Sequence, residues 1–285
     1  MKATRVLFIA GLGRSGTTLI ERVLDQLPGV CSAGELIHLW RWGILDDERC
    51  GCGEPFSTCG FWTAVGRRAF GVSGWTRPLA QRLLHLRSRV DRARYVPQLS
   101  RATSTHPRGG ELAAYLDAYR DVYAALADVS GASVVVDSSK QASLAYCLRH
   151  DDEIDVRVVH VVRDSRGVAY SWTKEMARPE AAEGRQLMTR YSPVRSALLW
   201  DANNASPAVL GRLGRHQTCP PTLGLPVTPR QQPNDCASSG NSGTPAYPTS
   251  FTSSRLMASA SSPCRSTLPM STPSASGGRA LRSSC

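Results

Sequence analysis

Two rhythms of apolar and polar positions alternate along the first two thirds of the chain. Arg5 to Ala10 (RVLFIA) is a short, unbroken, β-branched-rich run, the pattern of a strand buried on both faces. A glycine-rich stretch follows. From Thr17 to Leu27 the spacing turns helical, with Leu19, Ile20, Val23, Leu24 and Leu27 on one face, until Pro28-Gly29 ends it. Arg77 to Arg94 carries Leu79, Leu83, Leu86 and Val90 at helical spacing, and its Arg side chains form a solvated face or a patch turned towards substrate. Glu111 to Ala127 is a clear helix, with Leu112, Tyr115, Leu116, Tyr119, Tyr123 and Leu126 along one side. The strand pattern returns at Ser133 to Asp137 (SVVVD) and Arg157 to Arg163 (RVVHVVR). Helices are expected near Gln141 to Arg149, Gly167 to Met176 and Ser192 to Asn204.

Near-continuous apolar strands separated by amphipathic helices predict an α/β fold, a parallel sheet with helices on both faces. The pattern stops near Arg215. Residues 216–285 hold 15 Ser, 10 Pro and 8 Thr but no Lys, no Glu and one acid, Asp235. Such a segment buries too little apolar surface to offset its ordering entropy. Two units are therefore expected, an ordered domain over 1–215 and a disordered Ser/Pro-rich tail over 216–285. The tail's composition also resembles G+C-rich coding sequence read in a shifted frame. An out-of-frame replacement of the last third is one expectation and a genuine disordered extension the other.

Charge and cysteine usage narrow the class. The chain of 285 residues carries a formal charge of +11, and since the tail holds five Arg and one Asp, +7 belongs to the first 215 residues. An excess of this size suits an anionic ligand. No apolar run approaches the ~20 residues of a membrane span, and Val6 to Ala10 is too short for a signal-peptide core. The nine Cys then read as reduced thiols and the location as cytoplasmic. Cys50, Cys52 and Cys59 cluster in RCGCGEPFSTCGFW and could begin a zinc site, but no His lies among them and the spacing is not a common finger spacing, so a structural or disulfide-capable loop is the favoured expectation and no metal is assigned.

The strongest local signal is GLGRSGTT, Gly11 to Thr18, between a strand and a helix. Glycines let the backbone curl so that successive N–H groups point inward, and the helix N-terminus adds partial positive charge. Thr17 and Thr18 add hydroxyl donors. The glycine spacing is that of a nucleotide-binding P-loop, G-x-x-x-x-G-K-[ST], except that Thr17 stands at the lysine position and the cation is Arg14. A P-loop NTPase-like sheet repurposed for a donor other than ATP is the expectation.

Here the chain resembles a family. GLGRSGTT and the helix after it are similar to the 5′-phosphosulfate loop of sulfotransferases that use 3′-phosphoadenosine 5′-phosphosulfate (PAPS), nearest the Arg-type loop of carbohydrate and tyrosylprotein sulfotransferases. VVHVVRDSRGVAYSW, Val158 to Trp172, resembles the family's 3′-phosphate strand–turn–helix, with Arg163 and Ser171 at its phosphate-binding positions. Ala33-Gly34-Glu35 resembles the element that supplies the general base. Asp137-Ser138-Ser139-Lys140 resembles the element whose lysine stabilises charge near the sulfuryl group. The resemblance implies Gly13, Arg14, Ser15, Gly16, Thr17, Thr18, Arg163 and Ser171 as the PAPS site and Arg14, Glu35 and Lys140 as the catalytic set, with no metal. The implied acceptor is a hydroxyl on a carbohydrate, glycolipid or other small molecule. Trp40, Trp42, Phe61 and Trp62 could stack on a sugar or line a lipid groove, with aromatic core packing the favoured expectation. A peripheral membrane contact and the oligomeric state stay open.

Two other readings compete. In a P-loop kinase for small molecules, Asp137 at the end of Val134 to Asp137 would hold Mg²⁺, although the P-loop lysine is missing. In a non-catalytic or defective relative, nucleotide would bind weakly. A nucleic-acid binder is disfavoured, because the Arg-rich helix lacks interleaved aromatics and no DNA-binding motif is present.

Overall fold

The computed structural model describes residues 3–101, 110–175 and 189–212, the last seven of these as backbone alone. Residues 216–285, on which both expectations for the tail fall, lie outside the described residues. Among the described residues, four strands form one parallel sheet in the order β2-β3-β1-β4: β1 (Thr4–Gly11), β2 (Val30–Ser32), β3 (Val134–Lys140) and β4 (Ile154–Val161). Between them run α1 (Thr17–Leu24), α2 (Gly60–Phe70), α3 (Arg77–Val90), α4 (Val96–Arg101), α5 (Gly110–Ser130) and α6 (Ala142–Leu148). α7 (Ser165–Thr173) and α8 (Pro193–Arg212) follow β4. This is the expected α/β fold.

Strand alternation sends side chains to two unequal sides. Val6, Phe8 and Ala10 of β1, with Val135 of β3 and Val156 and Val158 of β4, join the main core beneath Tyr119, Tyr123 and Leu126 of α5 and Leu144 and Leu148 of α6. Ile9, Val136 and Val161 point the other way and meet Ile20 and Leu24 of α1. Helices therefore cover both faces, the α1 face lightly. The five apolar residues expected on one face of α1 divide into two lines. Ile20 and Leu24 touch the sheet, while Leu19, Val23 and Leu27 are turned to solvent, because a two-turn helix meets a flat sheet along one i, i+4 row only.

Several elements differ from expectation. β2 and α2 appear where the sequence pattern gave none. α3 stops at Val90 because Asp91 turns inward, where its carboxylate accepts a hydrogen bond from the Tyr115 hydroxyl at 2.9 Å. β3 runs three residues past Asp137, and α8 continues through Pro207.

The strand order fixes where a ligand can sit. β1 leaves the sheet into α1 on one face, and its neighbour β3 leaves into α6 on the other. Adjacent strands whose exits diverge open a crevice at their carboxyl ends. Here those ends are Gly11 and Lys140, and Ala10 lies directly beside Lys140 in the β1–β3 register.

Candidate functional site

The crevice begins with the loop between β1 and α1. Gly11 leaves the strand at φ 141°, and a Cβ there would sit 2.4 Å from the Val161 carbonyl oxygen, so only glycine lets the loop start this close to β4. Arg14 adopts φ 73°, a left-handed conformation that side chains other than glycine seldom take. Ser15 closes a turn onto the Leu12 carbonyl at 3.3 Å, and Gly16 at φ 92° caps α1 without any side-chain hydrogen bond. Thr17 is buried and Thr18 exposed. Their amides belong to the first turn of α1, where no intrahelical carbonyl can reach them. The loop thus offers backbone donors, a helix N-terminus and a cation to an anion.

A second group assembles from across the sheet. Ala33 donates its amide to the Val136 carbonyl at 2.9 Å, and Ser138 donates to the Gly34 carbonyl at 2.9 Å. The chain after β2 is thereby carried along β3, which delivers Glu35 to Lys140, and the two side chains form an ion pair. Lys140 holds φ 66°, again left-handed. His38, one turn on, places its Nε2 3.6 Å from the other Glu35 oxygen and stacks on Trp42 with ring centres 3.5 Å apart. Sequence reasoning missed His38. Its three-residue spacing from Glu35 was visible, but the short 3₁₀ turn Leu36–His38 that makes this spacing meaningful was not.

Asp137 plays a different part from the one expected in the kinase reading. Its side chain is enclosed against α5: the Tyr123 hydroxyl donates to Oδ2 at 2.6 Å, and the amide of Ser139 donates to Oδ1 at 2.8 Å. Burial pushes the carboxyl up to about 6. Ser139 Oγ also donates to Oδ1 and in turn accepts the Ile37 amide at 2.9 Å. Asp137 therefore positions the turn that follows Glu35, and its oxygens are too occupied to suit a magnesium ligand. On the other side of β3, Glu21 of α1 accepts hydrogen bonds from Ser32 and Ser138, which ties the helix behind the loop to both strands.

The segment after β4 closes on the loop from the far side. Arg163 donates from Nη1 to the Arg14 carbonyl at 3.0 Å, and Trp200 of α8 donates to the Arg163 carbonyl at 2.8 Å. Asp164 caps α7 by accepting the Gly167 amide at 3.0 Å. Trp172 on α7 packs where a Cβ on Gly13 would stand 3.3 Å from its ring, and the Arg14 guanidinium lies 5.2 Å from the ring centre. Ser171, half-buried, precedes it on the same helix. Gly13, Arg14 and Arg163 are thus brought together directly, with Trp172 as the member sequence reasoning did not single out. Of the aromatics offered for an acceptor pocket, Trp40, Phe61 and Trp62 are buried in the core. Trp42, half-buried on His38, is left beside Glu35.

Comparison with known proteins bears on one end of this arrangement. A family model described as the sulfotransferase family matches residues 7–46, a stretch that holds most of β1, the loop, α1, β2, Glu35 and His38. No curated protein and no solved structure matches the chain.

Proposed function

We propose that the protein is a sulfotransferase that moves a sulfuryl group from PAPS to an acceptor hydroxyl. The observation that carries this reading is the Glu35–Lys140 ion pair standing at the strand end beside Ala10, one residue before the anion loop begins. The sulfotransferase match over residues 7–46 supports it from the sequence side. The loop suits the donor's phosphate chemistry, since Gly16 leaves open space where a Cβ would stand and the α1 amides follow at once.

Bound, the donor supplies a sulfuryl group whose bond to a phosphate oxygen breaks as the acceptor oxygen forms its own bond to sulfur. Glu35 accepts the proton of the acceptor hydroxyl. Lys140 faces the charge on the sulfuryl oxygens, and Arg14 with the amides of Gly16 to Thr18 faces the charge that collects on the departing phosphate. Arg163 and Ser171 hold the 3′-phosphate, and the Arg163 bond to the Arg14 carbonyl links that end of the donor to the loop. The His38–Trp42 stack offers an acceptor a flat, partly polar surface next to Glu35, suited to a sugar or another small hydroxyl compound. No step is assigned to a metal.

The test is calorimetry with bisphosphorylated adenosine, run with and without magnesium, together with transfer of labelled sulfate from PAPS to a pool of small hydroxyl compounds. Metal-independent binding and a labelled product are expected. Binding of Mg-ATP without binding of the bisphosphorylated adenosine would overturn the reading in favour of a kinase.

A further inference from the structure

The described residues between Glu35 and α5 form no sheet of their own, yet they hold a compact constellation that the reaction does not use. After the π-helical turn Leu39–Leu45 the chain folds back on itself. Arg49 and Pro55 form an antiparallel bridge, Cys50 donates its amide to the Glu54 carbonyl at 2.8 Å, and Gly53 turns at φ 93°. Asp47 holds the returning strand by accepting the amide and hydroxyl of Ser57 at 2.8 and 2.9 Å. Cys50 and Cys52 lie on this hairpin. Cys59 is the residue that caps α2, and its side chain makes no capping hydrogen bond.

Folding brings the three sulfur atoms within 4.8 Å of one another, and Cys52 and Cys59 Sγ stand 3.7 Å apart. Zinc–thiolate bonds of ~2.3 Å at tetrahedral angles put neighbouring sulfurs ~3.8 Å apart. The observed pair already has that edge length, while a disulfide would need ~2.05 Å and would leave the third thiol out. Two thiols from a tight hairpin and one from the start of a helix also converge from different directions, as a tetrahedral ion requires. The partial positive end of α2 faces the negative charge that metal binding would gather on the sulfurs.

We propose that Cys50, Cys52 and Cys59 form a three-thiolate site for a thiophilic divalent cation of the zinc class. Each thiol gives up its proton to solvent on binding, and the fourth position, on the exposed Cys52 side, takes a water or an external ligand. The ion pins the hairpin to α2. It thereby secures the aromatic cluster of Phe56, Trp62 and Trp75, whose ring centres lie 5.3 to 6.2 Å apart. The role is structural. It stands independently of the sulfuryl-transfer reading.

The experiment uses the full chain, purified under reducing conditions. Metal content is measured by mass spectrometry, and Co²⁺ is then added to metal-stripped protein while the thiolate-to-cobalt charge-transfer bands are followed. Wild type should retain about one zinc per chain and give the bands of a tetrahedral thiolate site. Cys52→Ser, at an exposed position, should lose both signals, whereas Cys264→Ser should keep them. A chelator should lower the melting temperature of wild type and leave that of Cys52→Ser unchanged. Absence of cobalt–thiolate bands in fully reduced wild type overturns the proposal. So does an unchanged metal content in Cys52→Ser, or a Cys52–Cys59 disulfide in protein isolated with its metal.

Discussion

Among the described residues, three that carry a Cβ sit in the left-handed region: Arg14, Asp47 and Lys140. Such a conformation costs of order 1 kcal/mol each and persists where surrounding contacts over-determine it. Arg14 is held by the Arg163 bond to its carbonyl, Asp47 by its two bonds to Ser57, and Lys140 by the pairing of its ammonium with Glu35. Two of the three lie at the proposed reaction centre, which makes them good positions for separating stability from activity. Lys140→Gly removes the strain together with the ammonium, so urea denaturation should show stability kept or raised by up to ~1 kcal/mol while sulfuryl transfer collapses. A parallel loss of stability would mean that Lys140 serves the fold instead. Arg14 and Glu35 should divide binding from chemistry. Arg14→Ala should weaken bisphosphorylated adenosine by about ten- to a hundredfold, the ~1.5–3 kcal/mol of a charge-assisted contact. Glu35→Gln should leave that affinity alone and lower turnover by ~10²–10⁴-fold. Calorimetry and initial rates on the same two preparations separate the cases.

At the scale of elements, β3 is the organising piece. One face of its carboxyl end carries Asp137 into the core, the other carries Ser138 to Glu21, and its last residue carries Lys140 to Glu35. Asp137 gives this arrangement a pH signature. Burial raises its carboxyl from the ordinary 3.8 to about 6. Between those values the folded protein keeps a proton that the unfolded chain has released, so the folded state binds more protons and stability falls as pH rises. Above about pH 6 both states are ionised and the penalty levels off at roughly 3 kcal/mol. Asp137→Asn cannot titrate. The stability of wild type relative to this variant should therefore decline from about pH 4 to about pH 6 and stay flat beyond, as denaturant melts across that range would show; a difference that rises with pH contradicts it. Such connections mark the limit of what the sequence carries. The runs RVLFIA and SVVVD, the loop GLGRSGTT and the helix after it were legible because each has a local period or a fixed spacing. β2 was not, since three residues between Pro28-Gly29 and Ala33-Gly34 are too few to show alternation. Without β2 beside β3, nothing brings Glu35 to Lys140 across 105 positions, and the Glu35–His38 contact stays hidden with it. The Cys50, Cys52 and Cys59 spacing was visible, but their convergence depends on a hairpin and a helix start that periodicity does not report.

For the whole molecule, charge separates two kinds of attraction for the donor. The chain's net +11 acts at a distance, whereas in the proposed site Arg14, Arg163 and the amides at the start of α1 would act on that donor in contact. Raising ionic strength from ~0.1 M to ~1 M shortens the Debye length from ~10 Å to ~3 Å, which screens the dispersed charges and affects contact pairs much less. Long-range attraction speeds encounter, while contacts set how long the complex lasts. The association rate of bisphosphorylated adenosine should accordingly fall by about tenfold over that salt range, with the dissociation rate changing by less than about threefold. Arg14→Ala should reverse the proportions, since it removes one charge of many from the field and a principal contact of the proposed site. Its dissociation rate should rise by most of the affinity lost, and its salt dependence should stay close to that of wild type. Stopped-flow measurements on the two proteins at both salt concentrations give all four numbers. If salt acted chiefly on dissociation in wild type, the donor would be held by screened surface charge, and the loop between β1 and α1 would lose its place as the anion site.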